Sequence, residues 1–200
     1  MSAPARLTRL EQQEQTRERI IEAADALFVE RGFHASSVGD IAAAAGYTKG
    51  AVYSNFAAKE DVFFAVYERR AERAVEEMER TFAATAVPEA LDAISIAAAR
   101  RRGTVEDGWL AAFFEFWAHV IRRPALRERF AEIHLRAQEP LAAAVGRHLG
   151  RDAQQLVVAV YAMELGLSLE RLTLPELVDE ELGLRMGRLF LEEMRDAPTG

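Results

Sequence analysis

The sequence contains no cysteine. That excludes disulfides and thiolate metal sites, and it fits a reducing compartment. It contains no apolar run near the roughly 20 residues that a bilayer-spanning helix needs. Met1 to Gln15 also lacks the apolar core of a secretory signal, so a cytoplasmic protein with no membrane partner is expected. Alternating apolar runs joined by hairpin turns are missing, so strands are not expected. There is no phosphate loop, no nucleophile elbow, and no His-x3-His or Glu-x2-His pair. Nothing therefore points to an enzyme or a cofactor carrier, and neither cofactor nor metal is expected. A basic excess is missing too. The net charge is −7, and even in residues 1–60 Lys and Arg do not outnumber Asp and Glu. Charge alone gives no case for nucleic acid.

What is present is helical. Half of the 200 residues are hydrophobic, enough for one ordinary domain or two small ones sharing a core, and Ala, Leu, Glu and Arg dominate. Residues 1–13 read as a flexible tail. Arg6 and Arg9 in it serve either as a minor-groove arm or as a solubilising tail. A first helix is predicted from Gln15 to Arg31, with Ile20, Ile21, Ala24, Leu27 and Phe28 on one stripe. Gly32 ends it as a cap, and Phe33 plugs the core beside it. Ser37 starts a second helix, with Asp40 three residues on as a form of the capping box. Val38, Ile41, Ala42 and Ala45 face inward, and Gly46 closes it. Thr48 caps a short third helix, Lys49 to Phe56. Val52 and Phe56 anchor that helix, with Gly50 and Ser54 opposite and Tyr53 and Asn55 on its flanks. A fourth runs from Lys59 to Thr81, and its charged part, Glu68 to Arg80, reads as a solvated linker. Beyond it, helices are predicted over Pro88 to Arg102 and Asp107 to Arg123, the second apolar almost all round and so buried, with Gly103 between them. Pro124 opens another, which Pro140 must kink or divide. Two more span Asp152 to Leu172 and Pro175 to Arg195. Residues 197–200 are expected to fray.

The run from Ser36 to Lys59 is a helix-turn-helix pattern: first helix, glycine turn, short recognition helix, exit. Such a unit places its second helix in a DNA major groove. The order Gly32-Phe33, Ser36-Ser37-Val38, Ile41-Ala42, Ala45-Gly46, Lys49-Gly50-Ala51-Val52-Tyr53, Phe56, Lys59-Glu60 resembles the tetracycline-repressor (TetR) family of bacterial transcription regulators. The resemblance spans Gln15 to Tyr67 at motif level, and the remainder in length and helical layout alone. It implies an all-α homodimer. An N-terminal three-helix DNA-binding domain (14–60) would join, through a linker helix (61–82), a helical effector-binding and dimerisation domain (83–200). It also implies release of operator DNA when a small molecule changes the spacing of the two recognition helices. Those helices must meet successive major grooves about 34–36 Å apart.

Carried over position by position, the resemblance puts DNA contacts on Ser36 or Ser37 and on Thr48, Lys49, Gly50, Ala51, Tyr53, Ser54 and Asn55. Lys59 would grip a phosphate. The chemistry suits these positions. Tyr53 and Ser54 hydroxyls fit phosphate oxygens, Lys49 fits a guanine edge or a phosphate, and Asn55 fits an adenine edge. Gly50 permits close backbone approach. Without an arginine in the recognition helix, readout is expected to lean on DNA shape. Tyr47 departs from the small aliphatic residue usual there, and its ring either packs in the turn or lies against DNA.

Trp109, Phe113, Phe114, Phe116 and Trp117 are candidates to line an effector pocket, and equally candidates for plain core. Glu115, His119 and His134 could supply polar groups, with Glu115 and His119 spaced to bond each other, and Tyr161 and Met163 add further lining. The effector class implied is hydrophobic or aromatic. Leu156, Val160, Leu167, Leu182, Met186, Leu189 and Phe190 form apolar stripes on the last two helices. They either bury within one subunit or, as the resemblance implies, join a two-fold four-helix bundle, with Gly166 and Gly183 allowing close approach. The leading expectation is an effector-released repressor at a palindromic operator. A DNA-binding protein without a small-molecule ligand is the alternative, favoured if the pocket is filled by its own rings. An activator is open as well, since the sign depends on operator position.

Overall fold

A computed structural model of the chain describes residues 8–84, 105–150 and 152–179, and beyond them residues 181–183, 185–186 and 188–189. Regular structure among the described residues is helical throughout: α1 (Arg9–Ala35), α2 (Val38–Ala45), α3 (Lys49–Tyr53), α4 (Lys59–Ala84), α5 (Val105–Val120), α6 (Pro124–Leu149) and α7 (Gln154–Thr173). No helix among them is long and apolar enough to cross a membrane. The helix expected over Pro88 to Arg102, the break at Gly103, Arg6, Phe190 and residues 197–200 lie outside the described residues.

Several boundaries differ from expectation for identifiable reasons. Helix α1 starts at Arg9, well ahead of Gln15. Thr8 caps it, and a reciprocal box with Glu11 satisfies two otherwise orphaned N–H groups. At the other end Gly32 (φ 81°, ψ 173°) breaks the helix as foreseen, and a last helical stretch then continues to Ala35. Helix α3 stops at Tyr53, with Ser54 as its cap, so Phe56 anchors from the loop beyond it. Helix α6 runs unbroken through Pro140 to Leu149, and Pro140 does not divide it. Leu174 closes α7, and Pro175 lies in a turn, not at the start of the last helix.

The chain forms two compact units. The first joins Met1–Arg69 with Gly108–Pro124, and the second joins Arg70–Asp107 with Ala125–Gly200. The first unit is built on the α1 stripe. Ile20, Ile21, Ala24, Leu27 and Phe28 are buried against Phe33, Ile41, Ala42, Val52, Phe56 and the run Val62 to Tyr67. An aromatic stack from α5 completes it. Phe116 lies 4.0 Å from Phe63, centroid to centroid, and 5.0 Å from Phe33, while Trp109 stacks on Phe63 at 5.2 Å. Each such side chain contributes roughly 1.5–3 kcal/mol on burial. Gly108 lets α5 approach α1, since a Cβ there would overlap the Val29 carbonyl oxygen. An ion pair between Arg69 and Glu18 at 3.1 Å ties α4 to α1.

The core of the second unit gathers Ala142 and Val145 of α6 with Ala153, Leu156 and Val157 at the start of α7, and Leu141 and Val160 pack against it.

Candidate nucleic-acid interface

Helices α2 and α3 are shaped by caps, not by length. The Ser37 hydroxyl accepts the Asp40 N–H at 3.2 Å and the Asp40 carboxylate accepts the Ser37 N–H at 2.9 Å, the reciprocal arrangement anticipated from the sequence. Bonds from the Ser37 hydroxyl and backbone hold the Asp40 carboxyl below its usual value, and Arg31 and Lys49 add Coulomb attraction. Gly46 takes the left-handed conformation (φ 75°, ψ 25°) and donates to the Ala42 and Ala43 carbonyls. Nothing lies within 4 Å of where its Cβ would be, so backbone conformation and not space selects glycine there. The Tyr47 N–H donates to Ala42 O at 2.8 Å. The Thr48 hydroxyl then accepts the Ala51 N–H at 3.2 Å and starts α3. Val52 is buried, and Phe56 beyond α3 is buried with the Arg17 guanidinium over its ring at 5.1 Å. Five residues long, α3 is fixed by those anchors.

The anticipated DNA-contacting residues separate into two groups. Ser37, Thr48, Lys49, Gly50, Tyr53 and Ser54 are exposed and Ala51 is half-buried. Tyr53 leaves 56% of its surface open. Ser36, by contrast, is buried, and its hydroxyl donates to Gly32 O at 2.8 Å. Of the serine pair, only Ser37 faces outward. The Ser54 hydroxyl donates to Ala51 O at 2.8 Å, and the Asn55 amide donates to the same carbonyl at 2.8 Å. That bond takes one N–H of the amide, and an adenine contact would use the other, which lies 3.3 Å from the Ser54 hydroxyl, together with the carbonyl oxygen.

Lys59 faces inward. Its ammonium donates to Phe33 O at 2.7 Å and Ser36 O at 2.9 Å, and it sits 4.1 Å from the centre of the Phe33 ring. Burial pulls its pKa below the usual lysine value, against the attraction of Glu60 and Glu115. Two hydrogen bonds and a ring face leave one N–H for a phosphate. Neighbouring groups continue this internal network. Glu115 accepts the His34 N–H at 2.8 Å, and His119 Nε2 pairs with Glu60 Oε1 at 2.9 Å. Glu115 and His119, spaced to bond each other, instead each serve the backbone or side chain of a different element.

The residues considered for an effector pocket fall in both units. Trp109, Phe113, Phe114, Phe116, Trp117 and His119 belong to the first. Phe113 and Phe116 are buried there, Phe113 against Tyr67 at 5.4 Å and Phe116 edge-on to Phe64 at 5.1 Å. His134, Tyr161 and Met163 belong to the second. His134 stacks on Phe130 at 5.2 Å and meets Tyr161 edge-on at 4.9 Å, and burial pushes its pKa down, favouring neutral imidazole. Gln138, a residue the sequence pattern did not single out, bonds His134 Nε2 at 2.9 Å through one half of its amide. Its carbonyl oxygen is buried without a partner among the described residues, a cost that water or a ligand would normally relieve. The only sequence signal was its spacing of four from His134 on one helix face. Among the stripe residues, Leu156 is in the core of the second unit and Val160 packs on it. Leu167, Leu182 and Met186 are half-buried, and Leu189 is exposed. Exposed apolar surface also lies on Val158, Leu169, Leu172, Leu174 and Leu177.

Comparison with known proteins gives a consistent picture. Residues 20–66 match the model for bacterial regulatory proteins of the tetR family, and residues 88–196, more than half of the chain, match the BetI-type transcriptional repressor C-terminal model. The transcriptional regulator AcrR of Shigella flexneri is 45% identical over 64 residues, which are 32% of this chain and 29% of that protein. The transcriptional activator FasR of Mycolicibacterium smegmatis is 32% identical over 106 residues, 53% of this chain and 42% of that protein. The chain thus spans less than half the length of these curated relatives. A transcriptional regulator of Saccharomonospora viridis, solved in complex with choline, superposes with a TM-score of 0.68 at 22% identity, covering 90% of this chain and 96% of that one.

Proposed function

The chain belongs to the TetR family of bacterial regulatory proteins, and from that membership we propose that it is a homodimeric transcriptional repressor released from a palindromic operator by a small, largely apolar effector. The observation that carries the DNA-binding part is the outer face of α3. Thr48, Lys49, Gly50 and Tyr53 stand exposed over a helix pinned by Val52 and Phe56. A tyrosine hydroxyl, a lysine ammonium and an unobstructed glycine backbone are the groups expected where a short helix meets phosphates and base edges. Ser37 joins this set. Without arginine, such a surface reads sequence weakly by direct contact, and shape supplies the rest.

Effector recognition is proposed for the second unit. Phe113 and Phe116 of α5 are spent on the core of the first unit and Trp109, Phe114 and Trp117 are half-buried, whereas Phe130, His134, Gln138 and Tyr161 combine aromatic faces with a buried carbonyl that has no partner among the described residues. A matching ligand is mainly apolar and offers one hydrogen-bond donor. Dimerisation is proposed through the exposed leucines of α7 and the segment after it, in a two-fold arrangement that mirrors a palindrome. The burial of Phe113 and Phe116 favours one alternative, a DNA-binding regulator with no small-molecule ligand.

The test is a mobility shift of the full chain on the DNA upstream of its own gene at two salt concentrations. Palindrome-dependent binding supports the regulator. A screen of apolar and quaternary ammonium compounds, the second class chosen because the Saccharomonospora viridis regulator holds choline, then seeks release. Binding indifferent to sequence, with no compound altering it, would refute the repressor reading.

A further inference from the structure

We infer that His134 and Gln138 form a reversible hydrogen-bond adaptor, through which the effector site takes either an apolar ligand with one donor or an apolar ligand with one acceptor. The inference rests on the reading that the second unit binds the effector, and it widens the ligand class given there. Two residues four apart on one face of α6 carry it. The Gln138 amide nitrogen lies 2.9 Å from His134 Nε2. Gln138 is only 5% exposed, and its carbonyl oxygen has no partner among the described residues. One half of the amide is therefore paired inside the fold, and the other half is buried and open. Such a group costs stability until something bonds to it.

The sign of the open half is set by one proton. Neutral imidazole carries its proton on either nitrogen. With the proton on Nδ1, Nε2 accepts from the amide N–H, and the Gln138 carbonyl stays open as an acceptor. With the proton on Nε2, a half-turn of the amide puts the carbonyl oxygen where the nitrogen was. The oxygen then accepts from Nε2–H, and the amide nitrogen is open as a donor. Amide oxygen and nitrogen are so alike in size and position that both arrangements suit the same packing. The internal bond survives in each, and only what the pair offers to a ligand changes. The surroundings suit this exchange. Phe130, stacked on His134 at 5.2 Å, and Tyr161, edge-on at 4.9 Å, hold the ring plane so that Nε2 stays aimed at Gln138. Burial lowers the His134 pKa and so favours the neutral form, which has two tautomers. The residue is half-buried, not sealed, so water can carry the proton between the nitrogens. The core that follows on the same two helices, from Leu141 and Ala142 to Leu156 and Val157, is aliphatic and supplies no side-chain donor or acceptor.

The experiment titrates the full chain with three probes of similar size: indole, an N–H donor, acetophenone, a carbonyl acceptor, and indane, which is neither. Calorimetry gives the affinities. Heteronuclear NMR of the chain labelled at the histidine nitrogens gives the His134 tautomer in each complex, its signals being those lost in His134→Gln. Indole and acetophenone are each expected to bind roughly three- to tenfold more tightly than indane, the effect of one neutral hydrogen bond. His134 Nε2 should be unprotonated in the indole complex and protonated in the acetophenone complex. Gln138→Leu, with its melting followed as a check of folding, should bind all three probes alike. The tautomer measurement needs only the wild-type fold to decide the matter. A gain over indane for one probe alone or for neither, one tautomer in both complexes, or gains that persist in folded Gln138→Leu overturn the adaptor while the effector site stands. A wild-type chain that binds none of the three overturns both.

Discussion

The Glu115 carboxylate occupies the space that any side chain at Gly32 would need: a Cβ there would fall 2.5 Å from Glu115 Oε1. The same carboxylate accepts the His34 N–H at 2.8 Å. Gly32 thus serves twice. It takes the backbone to φ 81°, ψ 173°, a region restricted to glycine, and it leaves room for the group that caps the interrupted helix. Gly32→Ala is expected to destabilise the chain by about 2–4 kcal/mol, from backbone strain together with displacement of a carboxylate from its N–H partner. Urea unfolding reads this directly, and a change under about 0.5 kcal/mol, the size of an ordinary surface substitution, would refute it.

Lys59 is expected to matter more for folding than for salt dependence. Lys59→Met keeps the stem over Phe33 and removes the ammonium from the Phe33 and Ser36 carbonyls. Two acceptors lose a charged donor, which costs about 1–3 kcal/mol. The slope of log affinity against log salt should change less in this variant than in Lys49→Ala, with both measured by titration on one duplex. A larger slope change for Lys59→Met would show that its remaining N–H dominates phosphate binding.

Tyr53 carries the opposite expectation. Its ring is exposed, so Tyr53→Phe should leave the melting temperature within a degree or two, as for a surface change under about 0.5 kcal/mol. It should weaken binding to every duplex by a similar factor, with little effect on the salt slope, because the lost phosphate contact is neutral. Loss confined to one operator sequence would instead make Tyr53 a base reader.

The helix-turn-helix was legible because its signals are local. Ser37 with Asp40, Gly46, and Thr48 each act within a few residues, and the apolar stripe Ile20 to Phe28 repeats within one helix. What the sequence hid was long-range. Nothing near Glu115 announces a bond to His34, 81 positions away, and nothing near Lys59 announces that two carbonyls at the end of α1 will claim its ammonium. The spacing of four between Glu115 and His119 pointed to a mutual bond, but each found a stronger partner elsewhere. The aromatic run from Trp109 to Trp117 was equally readable as pocket or core, because periodicity reports burial and not what does the burying. Thr8 with Glu11 is the reverse case, a local capping signal set among polar residues that carry no apolar stripe to mark a helix. Gln138 carries no signal in the sequence because an amide on a helix is usually solvated, and only its burial gives it meaning.

His134 should make stability depend on pH. Burial lowers its pKa in the folded chain below the ordinary value, which is about 6.5 in an unfolded one. Between the two values the unfolded chain binds a proton that the folded chain does not, so stability falls as pH drops through that window and is fully present above it. The charged imidazolium would also lose one option in its contact with Gln138. Nε2 accepts from the amide nitrogen only while it is unprotonated. His134→Gln, neutral at every pH, should flatten the fall in melting temperature as pH drops below about 6.5, relative to the wild type. An unchanged pH profile would mean that the imidazole is charged or solvated in the folded chain. It would also remove the neutral, partly apolar character on which the proposed effector site depends.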